Sequence, residues 1–189
     1  MAEQVKKALG TRYEYALQEP QAGTAHAVKA AKDKIKAENV LVLYADMPFI
    51  IEESLRKLMR LHHDQKANIS LFTTTVPDFK VEFSGFLHFG RIIRNFKHEI
   101  IKIIEYRDAS EKDRQIKEIN PGIYMFNTQW LWENIKKIKN KNVQKEYYLG
   151  DIVELAIAQK QHIHSLPISP KEVIGINTQE DLDKAEKIL

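Results

Sequence analysis

The sequence predicts an α/β fold built on a mostly parallel sheet. Two patterns carry that prediction: short β-rich runs alternate with stretches of helical period, and Val40 to Tyr44 is a continuous apolar run of the kind buried in parallel sheets. Val5, Ala8 and Leu9 open the chain on a helical spacing with no strand ahead of them, and Tyr13 to Gln18 reads as the first strand. Ala22, Ala25, Val28, Ala31 and Ile35 recur every three or four residues with lysines opposite, which makes an amphipathic helix. Beyond the strand at 40–44, Ile51, Leu55, Leu58 and Met59 form a second helix, with Glu52 and Glu53 in the first turn where the dipole favours anions. That helix ends before Asn68, and the β-branched run Ile69 to Thr75 returns the chain to sheet. Arg91 to Phe96 and Ile100 to Glu105 flank a turn at Lys97-His98 and read as a hairpin. Asp108 to Arg114 is polar, and Ile116 to Phe126 is the next strand. Leu131, Ile135 and Ile138 repeat helically, as do Tyr148, Ile152, Leu155 and Ala156; a strand at His162 to Leu166 and a helix from Thr178 close the series. With no internal repeat, low-complexity tract or linker, residues 1–189 read as one domain.

Composition narrows the function. Hydrophobic residues at 43% and charged residues at 29% describe a globular chain, not a disordered one. Lys+Arg 29 against Asp+Glu 26 leaves +3, too near balance to argue for a nucleic-acid or membrane-surface partner. Cysteine is absent, which excludes disulfides, thiolate metal sites and a cysteine nucleophile. The apolar runs fall far short of the roughly 18 residues of a membrane span, and the opening residues carry no signal-peptide core, so the expected compartment is the cytoplasm. All 7 glycines are isolated, so no G-x-G phosphate loop can form. Gly85-x4-Gly90 is followed by Arg91-Ile92 where a P-loop needs Lys-Ser/Thr.

Several polar residues stand where chemistry could be done. In Gln18-Glu-Pro-Gln-Ala-Gly-Thr-Ala-His26, Pro20 forces a turn and Gly23-Thr24 opens a helix. Backbone N–H groups there suit an anion or a base carbonyl, and glutamine amides read a base edge; the same residues also suit a plain turn with a threonine cap. Asp46 follows the buried strand and precedes Met47-Pro48, the place where open α/β sheets bind ligands, though the same residue also suits a polar turn capping the next helix. Mg²⁺ takes one or two carboxylates plus phosphate oxygens and water, so one Asp suffices if the substrate brings phosphates. Glu105 and Asn120 lie at strand ends, where each alone reads as a surface residue before a site residue, and Asn177 in Gly175-Ile-Asn-Thr is a turn residue, a helix cap or a ligand. His162 and His164 share a strand face at a metal-binding spacing without an evident third ligand. The lysines at 136, 137, 139, 141 and 145 complement a helix C-terminus and have no interleaved aromatics to stack on bases.

Taken together, seven segments resemble the pyrophosphorylase domain of bacterial N-acetylglucosamine-1-phosphate uridylyltransferases. They are Gln18-x4-Gly23-Thr24-Ala-His26, Leu43-Tyr-Ala-Asp46-Met-Pro48, Gly90-Arg-Ile92, Ile104-Glu105-Tyr-Arg-Asp-Ala109, Glu118-Ile-Asn120-Pro-Gly-Ile123, Glu146-Tyr-Tyr-Leu-Gly-Asp151 and Val173-Ile-Gly-Ile-Asn177. The resemblance implies a Rossmann-like sheet of the nucleotide-diphospho-sugar transferase type. It also implies a step of cell-wall precursor biosynthesis: UTP and N-acetylglucosamine-1-phosphate give UDP-N-acetylglucosamine and pyrophosphate. By the same resemblance Gln18, Gly23 and Thr24 hold the uracil with Gln21 nearby, Tyr44 and Ala45 line the nucleotide, and Gly90, Glu105 and Asn120 hold the sugar. Asp46 and Asn177 are implied as the protein ligands of Mg²⁺.

The departures from that family are equally specific. The family opens with a strand and a glycine-rich loop whose Arg and downstream Lys clamp the triphosphate. The chain is expected to lack that strand, the loop and its cations, and also the C-terminal β-helix domain. The catalytic side chains are therefore left unassigned, and the 189 residues alone are expected to be catalytically impaired and poorly stable. Pro121 and Gly150 stand where the family carries threonine. Two other readings stay open: a sugar-1-phosphate nucleotidyltransferase that uses dTTP or GTP, and a non-catalytic nucleotide-sugar binding fragment. The oligomeric state is left open.

Overall fold

The protein is described by a computed structural model over residues 2–186. Its elements in chain order are α1 (Ala2–Leu9), α2 (Thr24–Ala30), β1 (Asn39–Val42), α3 (Glu52–Asp64), β2 (Ile69–Thr75), β3 (Gly90–Arg94) and β4 (Ile100–Ile104). They continue with α4 (Glu111–Arg114), β5 (Glu118–Asn120), β6 (Tyr124–Asn127), α5 (Thr128–Asn134), α6 (Ile152–Ala158), β7 (His164–Pro167) and α7 (Gln179–Ala185). No helix is long and apolar enough to cross a membrane among the described residues.

The strands form one sheet with β2 inside it. One edge of β2 takes β7 in parallel, Ser70 opposite His164. Its other edge takes residues 118–127 antiparallel in two pieces, Thr74 opposite Ile119 in β5 and Leu71 opposite Tyr124 in β6. The break between the pieces falls at Pro121-Gly122: proline has no N–H for a ladder, and Gly122 sits at φ 76°. Beyond that break the sheet forks. β1 lies along β6, Asn39 opposite Asn127, while β3 lies along β5, Gly90 opposite Asn120, with β4 beyond it.

Five of the six pairings among the described residues are antiparallel, which corrects the expected mostly parallel sheet. The helix-connected strands β1, β2 and β7 do share a direction, as the strand–helix alternation requires. What reverses the ladders is the segment 118–127: β6 inserts between β1 and β2 and β5 between β2 and β3, each running against both neighbours. A second correction concerns Tyr13 to Gln18, which forms no strand and joins no ladder among the described residues; Tyr13 is 56% and Leu17 61% exposed. The far edge of β1 likewise has no ladder partner among the described residues, and the apolar run Val40 to Val42 is only half-buried. The other expected elements form within a few residues of their sequence positions, including the 90–104 hairpin, whose turn is closed by the Asn95 side chain accepting from Lys97 N–H and Glu99 N–H.

Alternation along β2 and β6 sends side chains to two cores. Leu71, Tyr124 and Phe126 join α5 and α6 through Leu131, Ile152 and Ala156. Phe72, Ile123 and Met125 point the other way, to Leu58 of α3 and to Ile168 and Val173. Under α3 the second core holds a polar trio: the His62 ring shares hydrogen bonds with Ser70 Oγ at 2.9 Å and Asn39 Oδ1 at 3.2 Å. Burial pushes His62 down to about 4, with His164 adding to the effect. An unfolded histidine titrates near 6.5, so stability is full above that value and is lost as pH falls from about 6.5 towards 4. A pH series of thermal melts checks this: His62→Gln is expected to flatten the acid limb across that window, and an unchanged limb would exclude the mechanism.

Candidate functional site

The fork in the sheet opens a cavity of about 330 Å³ between its two branches. Tyr44 and Asp46 enter it from the segment after β1, Gly90 from the start of β3, Glu105 from the end of β4, Asn120 from β5, and Asn177 from the turn before α7. These six sequence-selected residues converge from five separate stretches of chain.

Each is held by an identifiable device. Ile176 N–H donates to the Asp46 carbonyl at 2.8 Å, tying the turn after β1 to the turn before α7. Between them lies Gly175, where an added Cβ would stand 3.5 Å from Asp46 Oδ2 and 3.3 Å from Asn177 Nδ2; the absent side chain lets the two polar groups flank one point. The Asn177 and Thr178 N–H groups donate to Asp181 Oδ2 at 3.2 and 3.0 Å, and Asp181 N–H donates to Thr178 Oγ1, a reciprocal cap that fixes the turn. Asn120 donates from Nδ2 to the Tyr124 hydroxyl at 2.7 Å and accepts at Oδ1 from Gly122 N–H at 3.0 Å, so its amide is fully oriented.

Glu105 lies against two glycines: a Cβ on Gly90 would meet its Oε1 at 3.3 Å, and one on Gly150 at 3.6 Å. Burial raises its carboxyl to about 7, and the nearby acids Asp151 and Asp108 add to the shift. Asp151 itself is raised to about 6, again chiefly by burial. Tyr44 is 40% exposed as a residue, but its hydroxyl is turned inward and pushed up to about 12 by burial, then by Glu105 and Asp46; a hydrogen bond to Thr24 opposes this. The face of its ring covers Gly122 so closely that a Cβ there would come within 2.1 Å of Cε2.

The residues implied for the base stand apart from this cavity. Gly23, at φ 102° and ψ 175°, passes so near Tyr147 that a Cβ would fall 2.6 Å from its carbonyl oxygen. Thr24 Oγ1 accepts from Leu149 N–H at 2.9 Å, and Gln18 Nε2 donates to the Gly23 carbonyl at 3.0 Å and meets His26 Nδ1 at 3.2 Å. Gln18, Gly23 and Thr24 thus form a wedge against 147–149, joined to the cavity through the Thr24–Tyr44 contact. Gln21 and Ala45 are exposed and lie outside the cavity lining. The lining also includes His88, Phe89, Pro121, Gly122 and Gly175, which sequence reasoning missed. Pro121, Gly122 and Gly175 do lie inside the resembling segments, and the Pro-Gly pair also carries the signal of a ladder break.

The nucleotidyl transferase family profile matches residues 1–169. The chain belongs to the nucleotidyl transferase family. This nucleotidyl transferase is 38% identical over 188 residues to the bifunctional protein GlmU of Bacillus licheniformis, covering 98% of this chain and 40% of the relative. It is 41% identical over 187 residues to the GlmU of Thermosipho africanus, covering 98% and 38%, and 40% identical over 191 residues to that of Caldicellulosiruptor saccharolyticus, covering 99% and 40%. The chain therefore spans about two-fifths of the length of the curated relatives it matches. Among solved structures, a CMP:2-keto-3-deoxy-manno-octonic acid synthetase complexed with CTP superposes with a TM-score of 0.63 at 14% identity, over 98% of this chain and 75% of that one. That likeness establishes a nucleotidyl transferase fold.

Proposed function

We propose that residues 1–189 are one nucleotidyltransferase domain that forms UDP-N-acetylglucosamine from UTP and N-acetylglucosamine-1-phosphate. An oxygen of the sugar phosphate attacks the α-phosphorus of UTP; the bond from that phosphorus to the bridging oxygen breaks, and pyrophosphate leaves with the electron pair. The observation that carries the reading is the convergence of Asp46, Asn177, Glu105, Asn120, Gly90 and Tyr44 on one cavity at the fork of the sheet.

Each group has a part in that scheme. Glu105 accepts from a sugar hydroxyl or amide, and Asn120, already locked by Tyr124 and Gly122, presents a fixed amide edge to the same ring. Gly90 keeps the wall beside Glu105 open. Asp46 offers a carboxylate about Gly175 and Asn177 an amide whose oxygen could join it once the amide is turned, since its Nδ2 now faces that point. Together they would make a hard oxygen pair suited to Mg²⁺ that completes its shell with phosphate and water. No group of three or more His, Asp or Glu among the described residues could hold a metal alone, so the pair suits an ion carried in with a phosphate substrate. The ion, when bound, neutralises phosphate charge as it shifts to the leaving group. The cavity lining carries no Lys or Arg among the described residues, so binding is expected to outlast turnover in the isolated chain.

Calorimetric titration of UDP-N-acetylglucosamine with Mg²⁺ tests this, with Asp46→Ala beside the wild type and folding checked by circular dichroism. The expected result is metal-dependent binding that weakens by about tenfold or more in Asp46→Ala, the loss of one charge-assisted contact. No binding by folded wild type overturns the proposal. Competition among UTP, dTTP and GTP separates the uridine reading from the other nucleotides.

A further inference from the structure

Arg91 is completely buried, yet none of its hydrogen bonds among the described residues goes to a carboxylate. Its guanidinium spends its donors on three backbone carbonyls: Nε on Arg114 at 3.2 Å, Nη2 on Leu87 at 2.9 Å, and Nη1 on Phe89. The plane lies 4.3 Å from the centroid of Phe79 and 5.4 Å from that of Tyr106. Both rings are shared with a second cation, Lys117 at 4.6 Å from Phe79 and Arg114 at 4.7 Å from Tyr106. Arg114 also donates to the Tyr106 carbonyl at 3.2 Å. An apolar side chain would fill this volume at less desolvation cost, but only a guanidinium supplies a rigid fork of donors.

Those contacts reach both walls of the cavity. The carbonyls of Leu87 and Phe89 bracket His88, and His88 and Phe89 line the cavity together with Gly90. Tyr106 follows Glu105 directly, and its ring also meets the His88 ring edge-on at 5.0 Å. We propose that Arg91 is a positioning residue for the nucleotide-sugar site: one buried guanidinium binds the wall at 87–90 to the turn that carries Glu105, and so sets the gap the sugar enters. The inference rests on the function proposed above, and its test separates the two.

Arg91→Lys keeps the charge but loses the fork, and Phe79→Leu removes one ring face while leaving the arginine in place, which serves if the lysine variant does not fold. Leu131→Ala, a fully buried site in the other core, is the control for lost stability alone. Two readouts are taken. Amide hydrogen exchange follows Phe89 N–H, bonded to the Phe86 carbonyl, and Asp108 N–H, bonded to the Glu105 carbonyl, with Ile168 N–H as a remote reference. Affinity for UDP-N-acetylglucosamine with Mg²⁺ is measured alongside.

Arg91→Lys is expected to speed exchange at Phe89 and Asp108 but not at Ile168, and to weaken binding by about tenfold, the loss of one or two charge-assisted bonds. Phe79→Leu moves both readouts the same way by less. Leu131→Ala leaves the affinity within about twofold of wild type, because the lesion is remote. Unchanged exchange at Phe89 and Asp108 in a folded variant, or an equal affinity loss in Leu131→Ala, overturns the proposal. If folded wild type binds no nucleotide sugar, the functional reading falls, and the exchange pattern alone decides whether Arg91 holds the two walls together.

Discussion

Gly122→Ala is expected to destabilise the protein by about 3 kcal/mol, the sum of a left-handed backbone penalty and an overpacked contact. The residue sits at φ 76°, and its new Cβ would come within 2.1 Å of the Tyr44 ring, so either the ring or the strand break must move. Both movements open the cavity, because Tyr44, Asn120 and Gly122 all line it. A thermal melt should fall by roughly 10 °C for a domain of this size. Adding Tyr44→Ala should recover the steric share but not the backbone share, giving a coupling energy of roughly 1–2 kcal/mol between neighbours in contact. A melting temperature within about 2 °C of wild type would show that Gly122 does not adopt this conformation under the ring.

Glu105→Gln is expected to separate stability from binding. The carboxyl is raised from 4.5 to about 7, so a buried charge appears in the fold only as pH rises through that interval. The sign follows from which state releases its proton first. Below about 4.5 both states hold the proton and the glutamine variant gains nothing; between 4.5 and 7 the unfolded state ionises first; above 7 the penalty is complete. At pH 8 the variant should therefore be more stable than wild type by roughly 2–3 kcal/mol, and at pH 4 the two should melt together. Under the proposed function the same variant loses affinity for the sugar nucleotide, since a charged acceptor becomes a neutral amide. Equal melts at pH 8 would mean that the carboxylate is solvated in the fold.

Much of this architecture was legible in the chain, because most elements announce themselves locally. Ile69 to Thr75 is β-branched and forms β2 where expected, and Glu52 and Glu53 begin α3 as its dipole favours. Neighbour choice is not local. The helices between β1, β2 and β7 fix a shared direction, but nothing in their periodicity says that β6 will slide between β1 and β2 in reverse. Tyr13 to Gln18 shows the same limit: a strand-like composition makes a strand only where a ladder accepts it.

The site divides along the same line. Asp46 could be picked out because it is polar and follows a strand end, where α/β sheets open; Glu105, Asn120 and Asn177 were implied only by the family resemblance, since alone each reads equally as surface, turn or cap. Gly122 and Gly175 escaped because their contribution is an absence of atoms, visible only against Tyr44 and against the Asp46–Asn177 pair. Arg91 escaped because the run Arg91-Ile-Ile-Arg94 reads only as a strand, and nothing local shows that the donors of Arg91 are used up on backbone carbonyls from 87, 89 and 114.

Among the described residues one edge of β1 has no ladder partner, which has a consequence for how these residues keep company with another copy of themselves. From Asn39 to Tyr44 the chain has six residues with no charge, proline or glycine, a composition that pairs readily with another copy of itself. Proteins that carry such an edge usually guard it with a lysine, a bulge or a covering segment, and none of these interrupts the run from Asn39 to Tyr44. A net charge of +3 spread over 189 residues gives only weak repulsion between molecules to offset that. That run is thus a short template for self-association, and because Val40 and Val42 pack against the core, a single lysine at the exposed Leu43 is the smallest gatekeeper that would blunt it.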